Sequence, residues 1–169
     1  LTHLHRLGHR RIGLILGRYA SDRGQARYRG YQEVLQRFGL PFDKRLVVEA
    51  PFDMAGGTRA MQQLLALAEP PTAVFAANDI LAIGAMQAAR AAGLDIPQDL
   101  SIIGMDDIYP AALTTPGLTT MAKAKYEIGR QAALFLLERL EGCVSGHARR
   151  HVISCRLVER GSTAPPRPS

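Results

Sequence analysis

Cysteine is scarce in this 169-residue chain: Cys143 and Cys155 are the only two, and they stand too far apart for a metal motif or a disulfide framework. Both read as ordinary thiols. No apolar run approaches the roughly 20 residues that cross a bilayer, and the start lacks the basic, apolar and small-residue regions of a signal peptide. The expectation is a soluble, cytoplasmic protein with no membrane partner. Catalytic motifs are missing as well: there is no Gly-x-Ser-x-Gly elbow, no phosphate loop, no His-Glu-x-x-His, and no Gly-x-Gly-x-x-Gly after the first apolar segment. No catalytic residue, metal ligand or cofactor is therefore assigned, and the chain is not read as an enzyme.

A concentrated basic face is also lacking. The net charge is +6, from 21 Lys and Arg against 15 Asp and Glu, but the cations are spread along the chain, with only short clusters at Arg10-Arg11 and Arg149-Arg150. This is the pattern of a solvated surface rather than of a helix that reads base edges. His3, His5 and His9 follow a helix and its exit without converging on a metal, and read as surface histidines; His147 and His151 flank a basic loop and read likewise. Adjacent Asp106 and Asp107 point apart and have no nucleophile beside them.

What is present is an ordinary globular composition, 47% hydrophobic and 21% charged, with a regular alternation of short apolar runs and amphipathic stretches. Leu1, Leu4 and Leu7 follow helical spacing up to Gly8, so the chain opens inside an amphipathic helix and is expected to be part of something longer. Arg11 to Gly17 reads as a buried strand, followed by a helix over Asp22 to Phe38 that carries Ala26, Tyr31, Val34, Leu35 and Phe38 on its inner face. A strand over Leu46 to Glu49 precedes a helix over Met54 to Leu67. Next come a strand over Ala73 to Ala77, a helix over Asp79 to Ala92, and a strand over Ser101 to Met105. Strands of about five residues alternating with helices of about 12 to 16 imply right-handed crossovers. The fold class is α/β, a three-layer α/β/α arrangement around a mainly parallel sheet. After Asp107 the pattern loosens into an irregular stretch, a short strand over Leu118 to Ala122, a helix over Tyr126 to Leu140 and a late strand over Val152 to Val158. Residues 161–169, rich in proline, read as a mobile tail.

The helix from Ile80 to Ala92 has almost no polar face. A helix apolar all round needs cover on two sides. One side faces the sheet, and a second copy of the chain is expected on the other, making a homodimer through Ile83 and Met86.

In open α/β sheets, ligands bind just beyond the carboxyl ends of the strands. Asn78 and Asp79 follow one strand, Asp106 another, and Phe52 lies past a third, while Arg27 is carried by the first long helix. Asn78 offers a donor and an acceptor, Asp106 accepts two hydrogen bonds and Arg27 supplies a rigid donor fork, a set suited to hydroxyls. Phe52 adds a flat surface for the apolar face of a ring. Taken singly, each has a structural alternative: Asn78 or Asp79 as a helix cap, Arg27 in a surface ion pair, Phe52 as loop core.

These residues lie in stretches that resemble the effector-binding domain of the LacI/GalR family of bacterial transcription regulators, whose fold is like that of periplasmic sugar-binding proteins. The likeness runs in order through Leu7-Gly8-His9-Arg10-Arg11-Ile12, Arg27-Tyr28-Arg29-Gly30-Tyr31, Pro71 to Asp79, Ser101-Ile102-Ile103-Gly104-Met105-Asp106-Asp107, Leu118-Thr119-Thr120 and Leu157 to Thr163. The resemblance implies a small-molecule effector, a sugar, sugar acid or related compound, held between two lobes. Its binding would alter the grip of an N-terminal helix-turn-helix on operator DNA, and that element is absent from this chain. By that likeness Arg27, Phe52, Asn78 and Asp106 match ligand-contacting positions, and Asp79 starts the following helix. Where the family usually has Gln-Pro shortly after Leu-Thr-Thr, this chain has Lys123-Ala124; Lys123 either meets an anionic ligand or stays solvated. Residues 1–121 would form the C-terminal lobe of the domain, and residues 122–160, a helix and a strand, would return into an incomplete first lobe. The alternative with the same fold is a sugar-binding protein of a transport system.

Overall fold

The computed structural model describes residues 1–168. Six strands form one sheet: β1 (Ile12–Leu16), β2 (Val47–Glu49), β3 (Ala73–Ala76), β4 (Ser101–Met105), β5 (Thr119–Ala122) and β6 (Arg156–Val158). Their spatial order is β2-β1-β3-β4-β5-β6, parallel from β2 through β5 and antiparallel only where β6 joins β5. The helices are α1 (Thr2–Arg6), α2 (Asp22–Arg37), α3 (Met54–Leu65), α4 (Asp79–Ala91), α5 (Tyr109–Leu113) and α6 (Lys125–Leu140).

The sheet core is buried on both faces, and β1 and β3 are apolar throughout, as central parallel strands must be. Gly13 and Val74 face α3, where the space above Gly13 is filled by Leu64 and Pro71. Phe75, one residue on from Val74, points to the opposite face and shares a groove with Tyr31 and Val34 of α2. α2, α3 and α4 each begin at a side-chain cap: Ser21 accepts from Gly24 N–H, Asp53 from Gly56 N–H and Asn78 from Leu81 N–H. Such caps satisfy amides that no helical carbonyl can reach.

The apolar second face of α4 is covered from within the chain rather than by a second copy. α3 lies across it so closely that a Cβ on Gly57 would enter the Leu81 carbonyl, and one on Gly84 would enter the carbonyl of Met54. Thr58 Oγ1 closes the contact on Gly84 O at 3.1 Å. Met86 is only 1% exposed and has no surface to offer a partner, so the expected dimer contact through Met86 is corrected; Ile83 alone of that pair remains partly exposed.

Three further expectations change at the C-terminal end. The late strand covers Arg156–Val158 only, and it pairs with β5 in this same sheet, so residues 156–160 belong with the first 121 rather than with a return segment. α6 does differ from the other long helices, because it buries no residue. The segment beyond Arg160 is docked, not free: Ser162 is buried, its hydroxyl donates to Ile102 O at 2.6 Å and accepts from Thr119 N–H at 2.8 Å, and Ile102 N–H reaches back to Ser162 O. Of the tail named from the sequence, Ser169 lies outside the described residues. α5, a single turn with Pro110 in its first positions, occupies part of the stretch expected to be irregular. It is too short for a periodic signal.

His9 is not at the surface either. It is 1% exposed, with Nδ1 2.9 Å from Thr72 Oγ1 and Nε2 2.9 Å from Ala164 O. A neutral ring protonated on Nε2 satisfies both partners, an assignment made from those partners. Burial pushes its pKa down, opposed in part by the Ala164 carbonyl.

Candidate functional site

The strand order reverses between β1 and β3, since the chain goes from β1 outward to β2 and then crosses back to begin β3 on the other side. Crossovers leave a crevice at the carboxyl ends of such a pair. A cleft of about 630 Å³ lies there, lined by Arg18 after β1, Phe52 after β2, Ala77 and Asn78 after β3, Asp106 after β4 and Lys123 after β5, with Ser21, Asp22, Arg23 and Arg27 from the start of α2. All five residues singled out from the sequence, Arg27, Phe52, Asn78, Asp106 and Lys123, line this one cleft. Arg18, Ser21, Asp22 and Arg23 were missed, although Arg18 follows a strand end just as Asn78 does.

Asn78 has two tasks. Its Oδ1 caps α4 by accepting from Leu81 N–H at 2.8 Å, which leaves the amide NH₂ for the cleft. While the cap itself is Asn78, Asp79 is the first residue of α4, as expected. It sits in the first helical turn, buried, where Oδ1 accepts from Thr120 Oγ1 at 2.5 Å and Oδ2 from Ile108 N–H at 2.9 Å. Burial raises its pKa, partly offset by those two donors. A Cβ on Gly104 would collide with this carboxylate, so β4 approaches it without a side chain between.

Asp79 thus holds the loop that presents Asp106. Asp106 and Asp107 adopt φ of 118° and 49°, in the half of the map that non-glycine residues seldom occupy. The turn is tied down at several points: Asp106 N–H donates to Met121 O, Asp107 is paired with Arg160 at 2.7 Å, and Lys125 Nζ reaches Asp107 O. Strained backbone held by such over-determined contacts is concentrated at sites that bind or react. Lys123 forms an ion pair with Asp106, so its head is neither free in solvent nor waiting unpaired.

Phe52 is positioned by what Gly17 lacks. A Cβ on Gly17 would fall inside the Phe52 ring, which therefore rests on bare backbone on one side and stays 49% exposed. Arg27 reaches under the cleft: Nη2 lies 3.6 Å from Met105 Sδ, and buried Nε has no hydrogen-bond partner among the described residues. Desolvation lowers its pKa, Asp106 opposes that effect, and the neighbouring charge of Arg23 adds to it. The arrangement can hold a polar, hydroxylated molecule against an aromatic wall. Among the described residues no three His, Cys, Asp or Glu side chains converge as a metal site, and no helix is long and apolar enough to cross a membrane.

Residues 1–163 match the model of the periplasmic binding protein-like domain. The HTH-type transcriptional repressor CytR of Escherichia coli strain K12 is 42% identical over 163 residues, covering 96% of this chain and 48% of the repressor. Among solved structures, the complex of the transcriptional regulator CelR with cellobiose superposes with a TM-score of 0.89 at 34% identity, over 95% of this chain and 49% of that one. A LacI family regulator from Enterococcus faecium with bound ribose gives 0.83 at 33%, over 96% and 60%. The chain spans about half the length of the curated relatives it matches.

Proposed function

The chain belongs to the periplasmic binding protein-like domain family, among the effector-binding domains of LacI-family regulators, and we propose that its cleft senses a sugar or sugar-like effector for such a regulator. The observation that carries this reading is the convergence of Phe52, Asn78, Asp106 and Lys123 from four different strand ends on one cleft, with Arg27 beneath it. Cellobiose and ribose occupy two structural neighbours, and relatives of this chain are repressors, which supports a hydroxylated ligand and a regulatory role over a transport one. Operator DNA is contacted by a helix-turn-helix outside residues 1–169, in the cytoplasm. Effector binding controls that contact only through a difference in affinity between two arrangements of the protein.

The homodimer is retained in this proposal with a different surface. Ile83 stays partly exposed on α4, and Tyr109 and Leu113 on α5 are 79% and 64% exposed. The Ile108 N–H bond to Asp79 brings the start of α5 beside that of α4.

A thermal-shift screen of the intact gene product with sugars, sugar acids, sugar phosphates and nucleobases tests the effector reading, because a ligand of the native state raises stability as RT ln(1 + [L]/Kd). Asn78→Ala and Asp106→Ala should each abolish the shift. A hit that survives both substitutions would place the site elsewhere.

A further inference from the structure

The cleft carries four cationic side chains, Arg18, Arg23, Arg27 and Lys123, against two carboxylates, Asp22 and Asp106. Lys123 and Asp106 are paired with each other. What remains is three guanidinium groups facing one carboxylate, and among the described residues none of those four is in a salt bridge. Elsewhere Arg11 and Arg45 pair with Asp43, Arg130 with Glu127 and Arg160 with Asp107, while other arginines, such as Arg29, Arg59 and Arg90, are in no salt bridge among the described residues. What sets the cleft apart is the convergence of three such arginines on one concave site beside a single unpaired carboxylate, with the Nε of Arg27 buried and unpartnered among the described residues.

Resting on the reading of this cleft as the effector site, we propose that the effector is an anionic polyol. It is a sugar carrying a carboxylate or phosphate whose charged group is held by Arg18 and Arg23 at the start of α2, while its hydroxyls meet Asn78 and Asp106. The loop that carries Arg18 into α2 is tightly shaped: Ser21 caps the helix, its hydroxyl donates to Arg18 O at 2.7 Å, and Gly24 lies so close that any Cβ would strike that same carbonyl. The Arg18 and Arg23 backbones are thus fixed just before and just inside the start of α2. Planar guanidinium groups take carboxylate and phosphate oxygens in paired hydrogen bonds, and charge assistance makes these bonds about twice as strong as neutral ones. Arg27 gains too, since a nearby anion offsets both its desolvation and its repulsion by Arg23, and its buried Nε has a donor still to place.

The test is calorimetric titration of the intact gene product with matched sets: glucose, ribose and galactose, each with its terminal phosphate ester and its aldonic acid. In at least one set the charged member should bind about tenfold tighter than its neutral parent or better, a preference that weakens as salt is raised. Arg18→Gln and Arg23→Gln should each remove most of that preference, weakening the charged member's binding more than its neutral parent's. The phosphate and carboxylate arms tell which anion is read. A neutral parent that binds as tightly as its charged forms, a preference that survives both arginine substitutions, or no binding by any member would overturn the assignment. If a neutral sugar binds and Asn78→Ala abolishes it, the effector site stands and only the anionic assignment falls. Binding that is indifferent to Asn78→Ala removes the site reading itself.

Discussion

Thr120 donates a 2.5 Å hydrogen bond to Asp79, tying the middle of β5 to the first turn of α4 through a carboxylate that is wholly buried. The other oxygen of the same carboxylate holds Ile108 N–H, so one side chain joins three segments around the turn that presents Asp106.

Asp79→Ala should destabilise the protein by about 2–4 kcal/mol, because it strands two buried donors, and Asp79→Asn should cost less. The pH dependence has a definite sign. Burial raises the folded pKa of Asp79 above the ordinary value of 3.8, so the protonated form is the one favoured by folding. Its contribution is fully present below the unfolded pKa and is lost as pH rises through the folded value. The urea-unfolding free energy of the native protein minus that of Asp79→Asn should therefore fall as pH rises above the ordinary carboxylate value; a rising difference would contradict the assignment.

Gly17→Ala should leave the fold nearly as stable, since Phe52 is half exposed and can swing away, yet weaken effector binding. The displaced ring loses its stacking position, an effect of roughly 0.5–1.5 kcal/mol, or up to about tenfold in Kd. Calorimetry with whichever ligand the screen finds would measure it, and Phe52→Ala should match Gly17→Ala in size.

His9 makes acid an enemy of this fold. Its folded pKa is pushed below the ordinary 6.5, so the unfolded chain binds the proton more readily. Stability is complete above the unfolded pKa and declines as pH falls toward the folded one. Thermal unfolding midpoints should drop from about pH 7 to pH 5, and His9→Gln should flatten that part of the slope.

Gly57→Ala and Gly84→Ala should each cost about 1–3 kcal/mol or more, because the added methyl group must push α3 and α4 apart against backbone rather than a movable side chain. The check is the shift in unfolding midpoint. An equal substitution at Gly30, which has open space above it, provides the reference.

Much of the architecture was legible because its signals are local. The apolar run from Arg11 to Gly17 predicts a strand that forms over Ile12–Leu16, and the pattern from Asp79 to Ala92 predicts a helix that forms over Asp79–Ala91. Apolar runs, caps and terminal glycines lie within a few residues of the elements they bound. The rule that ligands meet the carboxyl ends of strands marks Arg27, Phe52, Asn78 and Asp106, and the family resemblance adds Lys123; Arg18, just past β1, carries the same strand-end signal, whereas Arg23 lies inside a helix.

The amino-acid sequence by itself determined the succession of βα units, hence a parallel sheet with a crevice at its carboxyl edge. Periodicity and turn residues act over one turn or one strand, and nothing distant is needed to read them. Only the tertiary structure decided what covers α4, which sheet receives β6, that His9 and Ser162 are interior, and that Asn78 caps while Asp79 clamps. Each of those depends on partners far along the chain: Ala164 for His9, Thr119 for Ser162 and Thr120 for Asp79. A side chain's environment is set by what packs against it, and the local pattern of a single strand or helix does not contain that partner.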